Sequence, residues 1–67
     1  MSAPLFFVEA IGAAGAVVEL SPEDSRHALR SLRLRPGESV TVADGEGLIG
    51  RGRIAESPRD VATVTLE

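Results

Sequence analysis

Glycine and proline interrupt this chain so regularly that it has room for one helix and otherwise only short extended runs. Gly12 and Gly15 break it early, and Ser21-Pro22 opens a new segment. Pro36-Gly37, Asp44-Gly45-Glu46-Gly47 and Ser57-Pro58-Arg59-Asp60 mark three further turns. The runs between these breaks, residues 5–8, 16–20, 39–43, 48–55 and 61–66, are rich in Val, Leu, Ile and Thr. Those side chains suit a pleated, half-buried surface. Thr41 alternates with Val40 and Val42, as a strand with one buried face requires. Gly50 and Gly52 in the fourth run predict a bulge or a sharply coiled strand. Asp44-Gly45 suits the turn of a hairpin, because glycine tolerates positive φ.

The exception is residues 22–32. Ser21 can cap a helix there, and Pro22 fits its first position, where no amide donor is needed. Glu23 and Asp24 put negative charge at the positive end of the helix dipole. Ser25, Ala28, Leu29 and Leu32 follow the i, i+3, i+4, i+7 spacing of a buried stripe, with Arg26, Arg30 and Arg33 on a neighbouring face. Pro36-Gly37 stops the helix, and Leu34, alternating with Arg33 and Arg35, can return to the core in an extended segment. One helix among five strand-like runs predicts a mainly β, mainly antiparallel small barrel of five or six strands, with Leu29 and Leu32 plugging an open end.

Composition narrows the chemistry. The chain has 67 residues and no cysteine, so it is one domain without disulfides or thiolate metal sites. Its one histidine has no matching carboxylate set for zinc. No apolar run approaches the roughly 20 residues of a membrane span, and the N-terminus lacks the basic and apolar regions of a secretory signal. The expectation is a soluble, cytoplasmic domain. Its two aromatic residues, Phe6 and Phe7, would point to opposite faces of a strand, one into the core and the other either a platform for base stacking or a surface covered by a further domain.

The formal net charge is -3, yet 25–35 reads S-R-H-A-L-R-S-L-R-L-R and contains no carboxylate. Arg26, Arg30, Arg33 and Arg35 are four of the seven basic residues, all of them arginine. A cluster of guanidiniums in an acidic chain is either a surface for a polyanion, RNA above all, or a solvated helix face. Arg26 is the weakest RNA candidate, because Glu23 and Asp24 lie within pairing distance along the helix. His27 has neither a nucleophile nor an orienting partner to make it a general base, which leaves an RNA contact or a structural hydrogen bond. Arg51 and Arg53 point to one side of their strand and either extend the basic surface or face solvent. Asp44-Gly45 is a turn and not a catalytic loop. Gly45-x-Gly47 is too short for a phosphate-binding fingerprint.

The segment H-A-L-R-S-L-R-L-R-P-G-E, residues 27–38, resembles the pattern H-x-x-x-V-L-R-L-R-x-G-[DE] of the ribosomal RNA small subunit methyltransferase E family. Phe6-Phe7-Val8 is similar to that family's opening strand, Ser21-Pro22-Glu23-Asp24 to its acidic helix start, Asp44-Gly45 to its D-G turn and residues 62–67 to its closing strand. The resemblance covers nearly the whole chain. Leu5 stands where the family commonly has arginine, Ser31 where it has an apolar residue, and Ala43 and Gly50 at or near positions often aromatic.

The resemblance implies an N-terminal PUA-like β-barrel that binds 16S ribosomal RNA or the small ribosomal subunit. It further implies a SPOUT domain beyond this chain that binds S-adenosylmethionine and methylates N3 of a uridine, in a protein that is a homodimer. On that reading 1–67 is one RNA-binding barrel with no cofactor site, no metal site and no catalytic residue of its own. Arg30, Arg33 and Arg35 would contribute to the RNA surface, with His27 at its edge and Arg26 beside it. The contrasting reading is a small protein-interaction barrel that binds no nucleic acid.

Overall fold

The computed structural model describes residues 3–56 and 60–67. Five strands form one sheet in the order β1-β3-β4-β5-β2, curled into a half-barrel whose two edges are β1 and β2. The strands are β1 (Leu5–Phe7), β2 (Val17–Glu19), β3 (Ser39–Ala43), β4 (Ile49–Ala55) and β5 (Thr63–Leu66). Each lies within one of the five expected runs, and the mainly β, five-stranded architecture is as expected. Three pairings are antiparallel; β1 departs from that pattern and runs parallel to β3, Phe6 opposite Val42. A parallel pair needs a long crossover, and here β2 and the helix supply it.

The register sorts every side chain to one of two faces. Three cross-strand rows face inward: Phe6–Val42–Gly50, Val40–Gly52–Leu66 and Ile54–Val64–Val18. Val40, Val42 and Val64 are fully buried, and Phe6, Ile54 and Leu66 nearly so. Burying an aliphatic side chain of this size is worth roughly 1.5–3 kcal/mol, so these rows are the main source of stability. Val8, Leu20, Ala28 and Ala62 complete the core.

The fourth run holds no bulge, since β3 and β4 pair without interruption from Ser39–Arg53 to Ala43–Ile49. Gly52 serves a different end. A Cβ there would lie 2.5 Å from Val64 Cγ1 and 2.7 Å from the Thr65 carbonyl oxygen, so its absence lets β5 cross tightly over β4. A Cβ on Gly50 would meet nothing nearer than Ile11 Cγ2 at 3.5 Å.

The β3–β4 turn is built as its residues suggest. Gly45 and Gly47 both have positive φ, and the Asp44 carboxylate accepts from the amides of Glu46 (2.7 Å) and Leu48 (3.1 Å). Asp44 is therefore a structural cap on the loop. Of the turn expected at 57–60, only Asp60 is among the described residues.

Candidate nucleic-acid interface

The helix that carries the arginines starts as its sequence directs. Ser21 is the N-cap, its hydroxyl accepting from the Asp24 amide at 3.1 Å, and Pro22 opens α1 (Pro22–Arg26). The second half differs. Residues His27–Ser31 form a π turn, in which the Leu32 amide donates to His27 O at 2.9 Å. Arg33 then takes a left-handed conformation, φ 53°, and the Leu34 amide reaches back to Ala28 O at 2.9 Å. This is a left-handed helix terminus widened by one residue relative to the usual Schellman closure.

The widened turn corrects the expected stripe. Ser25 and Ala28 are fully buried and Leu29 is half-buried, but Leu32 is 40% exposed. A π turn adds a residue per turn and so rotates Leu32 out of phase with the residues before it. Leu34, not Leu32, joins Leu29 against the core. The same phase change takes Arg33 off the helix, so it does not continue the face of Arg26 and Arg30.

Ser25 fixes the helix to the sheet. Its hydroxyl donates to Leu20 O at 3.3 Å and accepts from the Ala62 amide at 3.0 Å. One side chain thus holds the chain just after β2 and just before β5. His27 packs edge-on against the buried Phe6 ring, centroids 6.4 Å apart.

These anchors divide the arginines into two groups. Arg26 and Arg30 line a cleft of about 390 Å³ floored by Leu20, Pro22 and Ser25. Glu19 and Asp60 line it too, and Arg30 Nη2 lies 3.5 Å from Asp60 Oδ1. Two carboxylates facing two guanidiniums leave the cleft close to neutral. Among the described residues, Arg26 forms no ion pair with Glu23 or Asp24. The counterion the structure supplies is Asp60, on Arg30, thirty positions away in sequence, which no local spacing could signal.

Arg33 and Arg35 form the second group. Both are exposed, and neither side chain bonds to any described residue. The backbone beneath them is held firmly. The Arg35 amide donates to Glu38 Oε2 at 2.6 Å, the Gly37 amide to Ile54 O at 2.7 Å, and the Ile54 amide to Glu38 O at 2.9 Å. Arg53 reaches the same turn, with Nη1 2.9 Å from Gly37 O and Nε 3.5 Å from Glu67 Oε2. Arg53 is thus committed to the fold, whereas the Arg51 side chain, on the same outer face, has no partner among the described residues.

No cluster of three or more His, Cys, Asp or Glu residues able to hold a metal occurs among the described residues, and no described helix is long and apolar enough to cross a membrane.

A family model for the PUA domain of RNA methyltransferases matches residues 20–67. The ribosomal RNA small subunit methyltransferase E of Mycobacterium tuberculosis is 34% identical over 59 residues, 88% of this chain. The chain spans 22% of the length of that relative. Among solved structures, the Neisseria gonorrhoeae ribosomal RNA small subunit methyltransferase E bound to S-adenosyl methionine aligns over 96% of this chain and 27% of its own. That alignment has a TM-score of 0.80 at 30% identity. A Legionella pneumophila protein solved with the same cofactor gives a TM-score of 0.87 at 23% identity over 98% of this chain and 27% of its own, a likeness of fold alone.

Proposed function

We propose that this chain, which belongs to the family of RNA methyltransferase PUA domains, is the RNA-binding N-terminal domain of an S-adenosylmethionine-dependent methyltransferase acting on N3 of a uridine in 16S ribosomal RNA. The family match over residues 20–67 carries the reading, because that span contains the helix, the arginine segment and the turn behind it. The domain positions ribosomal RNA in the small subunit; a catalytic domain further along a longer, homodimeric, cytoplasmic protein binds the cofactor and performs the transfer. The 67-residue chain alone neither binds S-adenosylmethionine nor transfers methyl groups.

The proposed contacts follow from the division of the arginines. Arg33 and Arg35 are the first phosphate ligands: their guanidiniums are uncommitted among the described residues, and their backbone is braced by Glu38 and β4. Arg30 joins once it leaves Asp60, an exchange between two exposed charges that costs little. Arg26 lies in the same cleft, and His27, exposed and packed against Phe6, stands next to Arg26 at the edge of the proposed surface. The remaining negative charge of the chain opposes RNA at long range, so the isolated domain binds weakly.

The test compares Arg33→Ala/Arg35→Ala with the parent sequence in a protein of full length, using ribosomal RNA or small subunits at several salt concentrations. Each phosphate that no longer meets a guanidinium should flatten the plot of log affinity against log salt by roughly 0.7 for a single strand. A shallower slope and weaker binding at unchanged Tm support the reading. Unchanged affinity and slope return the arginines to a solvated face.

A further inference from the structure

The outer face of the sheet has an apolar corner. Phe7 of β1, Ala43 of β3 and Ile49 of β4 stand in one cross-strand row, with Leu5, Thr41 and Arg51 in the next. Ala43 is covered, but Phe7 is 62% exposed, Ile49 73% and Leu5 52%. Leu48, immediately before Ile49, is 59% exposed. The other rows of this face carry Ser39, Arg53, Thr65, Thr63 and Glu19 beside Val17 and Ala55, so large apolar side chains are concentrated at this corner. A concentration of that kind marks a surface that another body covers.

The backbone indicates what arrives there. The β4–β5 register places Gly52 opposite Leu66, and the Glu67 amide donates to Arg51 O at 2.9 Å. Extended in the same register, residues after Glu67 would pass Gly50 toward Ile49, along the flank of β4 that β5 leaves open. The relatives are longer proteins: this chain spans 22% of the Mycobacterium tuberculosis protein and 27% of the Neisseria gonorrhoeae one.

We propose that the Leu5–Phe7–Ile49 corner seats the polypeptide that follows Glu67, fixing this domain's orientation against the methyltransferase domain. The proposal rests on the functional reading that such a domain follows. A tethered segment meets the corner at high effective concentration, an advantage that a second copy or a separate partner lacks. The corner is also chemically unlike a phosphate surface, since only Arg51, in its neighbouring row, carries a cation.

The experiment uses the gene product of the relatives' length, as parent and as Phe7→Ser/Ile49→Ser. All substituted side chains are exposed in the domain itself, so its own folding is little affected. Limited proteolysis shortly after Glu67 should be at least tenfold faster in the variant, with S-adenosylmethionine affinity unchanged. In the parent, the Ile49 methyl resonances should differ from those of the 67-residue chain. Equal cleavage rates with identical Ile49 resonances in the two lengths overturn the proposal. So does a 67-residue chain that sediments as a dimer disrupted by Ile49→Ser, which makes a second copy the occupant. Loss of RNA affinity in the variant with unchanged cleavage also overturns it, and makes the corner a base-stacking surface. A long protein that binds no cofactor defeats the methyltransferase reading and leaves the proteolysis result to judge the corner separately.

Discussion

The amide of Ala62 donates a hydrogen bond to the hydroxyl of Ser25 at 3.0 Å, joining the helix to the start of β5 across 37 positions of sequence. The same hydroxyl donates to Leu20 O, and the Leu20 amide in turn donates to Ala62 O at 2.9 Å. A buried serine thus closes a small polar circuit at the mouth of the half-barrel, where an apolar residue would leave a buried amide without a partner.

Ser25→Ala should therefore destabilise the domain by about 1–3 kcal/mol, the usual cost of an unsatisfied buried donor. Denaturant unfolding at constant m-value measures it. A midpoint unchanged from the parent would show that the circuit contributes nothing.

Gly52→Ala and Gly50→Ala should part company. The first forces a methyl onto Val64 and the Thr65 carbonyl and should cost about 1–3 kcal/mol or more. The second enters ordinary contact space beside Ile11 and should lie within about 1 kcal/mol of the parent. Thermal melts of the pair decide the matter, and equal Tm values would contradict the tight β4–β5 crossing.

Arg33→Gly should raise Tm while weakening RNA binding. A non-glycine residue at φ 53° bears a steric penalty of about 1–2 kcal/mol, which glycine removes, less what its extra freedom in the unfolded chain takes back. Arg33→Val should lower Tm, because a branched Cβ fits this region worst. A stabilised Arg33→Gly protein with undiminished affinity would remove Arg33 from the interface.

Asp60→Asn should free Arg30 with a stability change below about 1 kcal/mol, the ordinary worth of an exposed pair. RNA affinity should rise and its salt dependence steepen, as one more guanidinium becomes available to phosphate. Titrations of both proteins at two salt concentrations provide the readout; parallel, superimposed curves would exclude Arg30 from the contact.

The local chemistry of Ser21, Pro22, Glu23 and Asp24 determined where the helix begins, and the Asp44–Gly47 turn determined the β3–β4 hairpin. Alternation around Thr41 placed Val40 and Val42 inward. Each of these depends on neighbours within a few positions, so the sequence alone specified them. The concentration of arginine between 26 and 35 was equally plain from composition. Its division was not. Whether a guanidinium is free depends on what lies across space: Asp60 reaches Arg30, and Gly37 and Glu67 reach Arg53, only after the sheet has curled. The parallel β1–β3 pair, the π turn that rotates Leu32 outward, and the corner formed by Phe7 and Ile49 likewise belong to tertiary structure. They come from pairing and packing between distant segments, where the long-range fit of the core overrides the local period.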